Sequence, residues 1–204
     1  MSRIIAGSAG GVRLIGPRHS RTRPTTDRVR EALFSSIAAW AGTAGQPAHQ
    51  QCAGLRFLDL YAGTGGVGLE AASRGASRLV LVERDPATAG LIRRNLVLTH
   101  LQGTAICSDA QTYLGSSPPE EFDVVFADPP YALDDAHLAT VLAMVVDRGW
   151  LAPDGLLVVE RAGRDPQPRW PSSILSVQER RYGETVLYYC QVTAQPAQPD
   201  DKER

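Results

Sequence analysis

The chain has 204 residues, 43% of them hydrophobic and 21% charged, an ordinary balance for a soluble globular protein with enough length to bury one sizeable core. No apolar run approaches bilayer-spanning length, and the opening MSRIIAGSAGG holds too short an apolar stretch for a signal peptide. Cys52, Cys107 and Cys190 are scattered, with neither metal-ligand spacing nor a disulfide framework, so the expectation is a reduced, cytoplasmic protein without a metal site.

The net charge of −1 conceals an asymmetry. The first 30 residues carry Arg3, Arg13, Arg18, Arg21, Arg23, Arg28 and Arg30 against the single acid Asp27, a balance of +6, which leaves −7 on the rest. A basic head on an acidic body suggests a polyanionic partner gripped at one end. Within that head, Arg3–Pro17 reads as two short strands around a glycine-rich turn, a hairpin arm spanning residues 1–21. Thr22–Trp40 then reads as a helix: Thr25, Thr26 and Asp27 are available caps, and Val29, Leu33, Ile37 and Trp40 recur at helical spacing. Ala41–Gly54 is a linker by composition.

From Arg56 onward, strands and helices alternate. RFLDLYA, RLVLVE (Arg78–Glu83), TAICSD (Thr104–Asp109), FDVVFA (Phe122–Ala127) and GLLVVE (Gly155–Glu160, after a PDG turn) read as strands. Helices are expected from Val67 to Arg74, from Pro86, and between Asp134 and Asp147. The strands are nearly continuous apolar runs, as burial on both faces requires, and the alternation implies a parallel sheet covered by helices. The last two strands, in LSVQERRYG and TVLYYCQV, are separated only by a turn and should form an antiparallel hairpin at one edge. The main domain is thus 22–193, and 194–204 is a polar tail expected to be disordered.

The first βα turn, DLYAGTGGVGLEA, places Gly63, Gly65 and Gly68 in a G-x-G-x-x-G pattern, with Glu83 twenty residues after Gly63. In this context the glycines admit a nucleotide-like ligand to the backbone, and Glu83 can accept hydrogen bonds from two ribose hydroxyls. A dehydrogenase and an S-adenosylmethionine enzyme would both show the pattern. Asp59 separates them: a pyrophosphate disfavours a neighbouring carboxylate, whereas an ammonium and a sulfonium favour one. Asp109, at the third strand end, is placed to accept from an adenine amino group beside the backbone N–H of Ala110. Tyr61, Thr64 and Arg84 complete the candidate cofactor set.

The fourth strand ends in FADPPY. An exocyclic amine on a base is a poor nucleophile, because its lone pair is delocalised into the ring. Asp128 and the Pro129 carbonyl can each accept one N–H of such an amine and free the lone pair, with Pro129 and Pro130 stiffening the loop. Asp128 also borders the cofactor set. Tyr131 offers a ring on which an extruded or single-stranded base can stack.

The stretches RIIAGSAGGVRL, RPTTDRVREALFSSI, DLYAGTGGVGLEAASRGA, VERD, FADPPY and RRYGETVLYY together resemble the RsmD family, bacterial 16S rRNA guanine-N2 methyltransferases. The resemblance implies a Rossmann-like class I methyltransferase fold: an α/β structure with a seven-stranded, mostly parallel sheet, an antiparallel C-terminal hairpin and a small N-terminal hairpin extension. It also implies S-adenosyl-L-methionine as cofactor, held around Gly63–Gly68 and Glu83, with Asp128–Tyr131 at the target amine. The implied reaction is N2 methylation of the guanine-966 type in 16S rRNA during small-subunit assembly. The implied partner is that RNA, met by a monomer through the arginine-rich head. Two alternatives stay open on sequence: a DNA adenine-N6 methyltransferase with the same Asp-Pro-Pro-Tyr chemistry, and a non-catalytic RNA-binding protein on this fold.

Overall fold

Five apolar runs become parallel strands: β1 (Arg56–Asp59), β2 (Arg78–Glu83), β3 (Thr104–Cys107), β4 (Phe122–Ala127) and β5 (Leu151–Ala162). The computed structural model describes residues 2–17 and 26–192. The expected tail and the arginines Arg18, Arg21 and Arg23 lie outside the described residues. Two further strands, β6 (Ser176–Tyr182) and β7 (Thr185–Gln191), close one edge in the order β3-β2-β1-β4-β5-β7-β6. β7 runs antiparallel to both neighbours, so the C-terminal hairpin stands where the turn between these segments places it.

Helices cover both faces. α1 (Asp27–Trp40), α2 (Gly66–Ser73) and α3 (Pro86–Thr99) pack with Phe57, Leu79, Leu81, Val124, Phe126 and Val158 on one side. α4 (Ala110–Gly115) and α5 (Asp135–Asp147) pack with Leu58, Val80, Val125 and Val159 on the other. Strand residues therefore alternate between two apolar layers, and the charged residues of β1 and β2 stand at their ends.

Several boundaries differ from the sequence reading, each for a local reason. The N-terminal hairpin has a single bridge, Arg3 to Arg13, in place of two strands. Backbone bonds still join its two arms, from the Ile4 N–H to Val12, the Gly11 N–H to Ile4 and the Leu14 N–H to Ser2, while Glu70 on α2 accepts from the N–H groups of Ile5 at 2.6 Å and Ala6 at 3.0 Å. Ile4, Ala9 and Leu14 join the core on the α1 side, so this head is packed onto the body. α1 is capped by the Thr26 hydroxyl, which accepts from the Val29 N–H at 3.3 Å. β3 stops at Cys107, because Asp109 leaves the strand to cap α4, a six-residue helix too short to declare itself by periodicity. β5 begins at Leu151 and runs through Pro-Asp-Gly, which forms an irregularity with Asp154 at φ 60 and not a turn between elements. The linker contains one 3₁₀ turn, Ala48–Gln50.

Candidate active site

The carboxyl ends of β1, β2, β3 and β4 share one rim of the sheet, where ligands of doubly wound folds bind. Asp59 ends β1 and is 1% exposed. Its Oδ2 accepts the Gly68 N–H at 3.0 Å, while Oδ1 is buried without a partner. Burial, with Glu83 and Glu160 adding like-charge repulsion, pushes its carboxyl up to about 7.

The glycine loop follows. Gly63 and Gly65 adopt φ of 53° and 88°, so the turn itself requires glycine. A Cβ at Gly68 would stand 2.7 Å from a Leu81 methyl, so this glycine lets α2 settle on β2. Glu83 spans the loop: Oε2 accepts the Gly63 N–H at 2.9 Å and Oε1 the Asp85 N–H at 2.8 Å. Both oxygens retain further lone pairs for a ligand. The Tyr61 hydroxyl is a second buried polar atom without a partner, and burial raises it to about 12. Thr64 contributes its carbonyl, which accepts from Asn95 Nδ2 at 3.0 Å. Arg84 is exposed on the rim.

Asp109 supports the backbone: its Oδ1 accepts the Thr112 N–H at 2.8 Å and caps α4. The Thr112 hydroxyl and N–H hold its carboxyl below the ordinary range. Ala110 opens α4, and its N–H belongs to the first turn, which has no intrahelical acceptors. The cap and a ligand contact are compatible, since a carboxylate offers about four lone-pair sites and the Thr112 N–H takes one of them.

Asp128 comes directly after β4, followed by Pro129 and Pro130, whose carbonyl accepts the Leu133 N–H at 2.8 Å and closes the turn into α5. Burial, then Glu160 and Asp59, raises the Asp128 carboxyl well above its ordinary value, and Arg161 opposes them. Tyr131 is 66% exposed, so its ring is open to the rim. The Arg164 guanidinium lies 5.6 Å from that ring's centroid, a cation–π pair at the rim.

The family model described as Conserved hypothetical protein 95 matches residues 2–191. The chain is 34% identical to ribosomal RNA small subunit methyltransferase D of Escherichia coli strain K12 over 195 residues, covering 95% of this chain and 91% of that protein. The chain belongs to the RsmD family. The Haemophilus influenzae protein of the same name is 33% identical over 78% of this chain and 77% of its own length. Among solved structures, a hypothetical protein of Thermus thermophilus superposes with a TM-score of 0.74 at 31% identity, covering 95% of this chain and all (100%) of that one. The Thermus thermophilus 16S rRNA N2 G1207 methyltransferase RsmC, solved with AdoMet and guanosine, superposes with a TM-score of 0.62 over 86% of this chain and 44% of that one. At 19% identity the last likeness concerns the fold, that of class I methyltransferases.

Residues beyond the motifs also hold this RsmD-family site together. Asn95 on α3 donates to the carbonyls of Thr64 and Ile15 and accepts the Ile15 N–H, tying the basic head to the glycine loop. Nothing in the sequence distinguishes it from a surface asparagine of a helix. Glu160 ends LLVVE as Glu83 ends LVLVE, a signal that could have drawn attention to it. The arginines of the head divide. Arg13 and Arg28 are exposed, and Arg3, also exposed, pairs with Asp27 at 3.1 Å. Arg30 is 1% exposed and bonded to Ser2, the Arg3 carbonyl and Asp27, with Glu70 alongside; its expected place at an RNA surface is corrected to an internal one.

Proposed function

We propose that the protein methylates the N2 amine of a guanine in 16S rRNA, of the guanine-966 type, during small-subunit assembly. The observation that carries this reading is the Asp128-Pro129-Pro130-Tyr131 loop on the same rim as the glycine loop and the unpartnered Asp59 oxygen. The relatives named for small-subunit rRNA methylation supply the substrate class.

S-adenosylmethionine, when bound, supplies an electrophilic methyl group. The residues present suit it. Asp59 Oδ1 and the Tyr61 hydroxyl are buried polar atoms awaiting partners, Glu83 has lone pairs to spare for ribose hydroxyls, and the Ala110 N–H and Asp109 lie where an adenine would be held. Asp128 and the Pro129 carbonyl accept the two N–H groups of the target amine and hold its lone pair out of conjugation with the base. Tyr131 supports the base by stacking. Arg3, Arg13 and Arg28 remain on the surface of the head to meet phosphates.

Mass mapping of small-subunit rRNA from a deletion strain, with and without the gene restored, tests the reaction. One guanine should lose a single methyl group in the deletion and regain it on complementation. An unchanged methylation map would overturn the reading.

Cofactor affinity should also depend on pH. A cationic ligand binds the Asp59 carboxylate, and a proton competes for the same carboxyl, which titrates at about 7. Affinity should therefore fall as pH drops through that value, by up to about tenfold per pH unit. Asp59→Asn, which keeps an acceptor for the Gly68 N–H, should bind more weakly and lose this dependence. Calorimetric titration across neutral pH decides it, and parallel profiles for the two proteins would remove Asp59 from the cation site.

A further inference from the structure

On the guanine-N2 reading, one buried acid at the target end of the site has not yet entered the chemistry. β4 and β5 run parallel, with Phe126 level with Val158 and Ala127 level with Val159. One step further along the same register, Asp128 stands beside Glu160. Phe126 and Val158 belong to the same apolar layer, and strand side chains return to a face every second residue. Asp128 and Glu160 therefore share a face, and both line one small cleft with Pro129 and Tyr131.

Glu160 is only 8% exposed and ends an otherwise apolar run. A carboxylate buried beside Asp128 and near Asp59 adds like-charge repulsion to desolvation, a combination that further N–H donors would relieve. Its two oxygens offer about four lone-pair sites between them, room for a ligand donor beside any contact within the protein. The Watson–Crick edge of guanine brings such a donor, because its N1–H adjoins the N2 amine. Asp128 and the Pro129 carbonyl account for the amine, which leaves N1–H for a neighbouring acceptor.

We infer that Glu160 is the specificity-determining residue for the base, accepting the guanine N1–H beside Asp128. In its ionised form Glu160 can only accept, and in that form it also rejects the alternatives. Adenine and cytosine carry a ring nitrogen lone pair next to their exocyclic amine, and that lone pair would face Glu160 with no proton between them. A site built to bond a given N–H discriminates strongly against bases that lack it.

The test uses small-subunit RNA ligated from a synthetic segment carrying either guanine or 2-aminopurine at the target position. 2-Aminopurine keeps the N2 amine but presents a lone pair at N1. Wild-type enzyme should methylate guanine and discriminate against 2-aminopurine. Glu160→Gln keeps the shape and an acceptor oxygen and adds an amide that can donate to the N1 lone pair. Its kcat/KM ratio for guanine over 2-aminopurine should fall by about tenfold or more, the size of one exchanged hydrogen bond. Retained cofactor affinity in calorimetry shows that the variant is folded, and Glu160→Ala should lose guanine activity without gaining on 2-aminopurine. An unchanged ratio in folded Glu160→Gln, with wild-type enzyme active on guanine, would overturn the role of Glu160 alone. Wild-type enzyme that methylates no small-subunit guanine would overturn the guanine-N2 reading, and this inference with it.

Discussion

Asp128→Ala should lower turnover by roughly 10²-fold or more while leaving cofactor affinity much less changed, the scale set by losing one preorganised polar group at a reacting centre. The loop places Asp128 between the end of β4 and the Pro-Pro turn into α5, so its backbone is fixed from both sides. Asp128→Asn should retain more activity, because the amide oxygen still accepts an N–H from the amine. The pH profile separates the two roles of the carboxyl. Burial and the neighbouring Glu160 and Asp59 raise it, so the accepting carboxylate form is populated only as pH rises through that raised value. Wild-type turnover should therefore climb with pH on its acid side, and the asparagine variant should lack the Asp128 contribution to that limb. Single-turnover rates across a pH series measure both effects. Near-normal turnover of the alanine variant would remove Asp128 from the chemistry.

The parts of this site that could be read in the sequence are those in which one residue type has one physical reason to be there. Gly63 and Gly65 sit at positive φ, Glu83 ends a buried strand twenty residues on, and two prolines hold Asp128 at a strand end. The parallel sheet was legible for the same reason, since only strands covered on both faces are apolar throughout. What stayed hidden depended on contacts between distant segments. Arg30 looks like its neighbours in a basic run, yet it lies inside the protein because Asp27 and Glu70 happen to meet it there. The hairpin keeps backbone bonds across its arms at Ile4, Gly11 and Leu14, yet its Ile5 and Ala6 donors turn to α2, where Glu70 offers a carboxylate. Asp109 answered to two readings at once, a cap by geometry and a ligand residue by position, and composition cannot weigh one against the other.

Those hidden contacts carry the largest expected effect on stability, through Glu70. This carboxylate is 0% exposed and serves the Ile5 N–H at 2.6 Å, the Ala6 N–H at 3.0 Å and Arg74 Nε at 2.8 Å, with Arg30 Nε at 3.8 Å. Arg30 and Arg74 are each 1% exposed, and burial already draws the Arg30 guanidinium below its ordinary pKa against the pull of Glu70. Glu70→Ala would leave two buried cations short of a counter-charge and two backbone donors facing a cavity. Breaking a buried pair on one side costs about 3–5 kcal/mol, a large share of the roughly 5–15 kcal/mol that typically holds a domain folded. The exposed pair Arg181–Glu179 provides the control: with side chains 55% and 44% accessible, Glu179→Ala should cost about 0–1 kcal/mol. Glu70→Gln should fall between them, since the amide oxygen keeps an acceptor for the head while the charge is lost. Denaturant unfolding of the three variants measures the order. Because Glu70 fastens residues 5 and 6 to α2, Glu70→Ala should also open the head to limited proteolysis before the body unfolds. Equal stability of Glu70→Ala and Glu179→Ala would mean that water or a rearranged arginine replaces the carboxylate, and that the apolar residues Ile4, Ala9 and Leu14, with the Ser73 and Asn95 hydrogen bonds, suffice to hold the basic head.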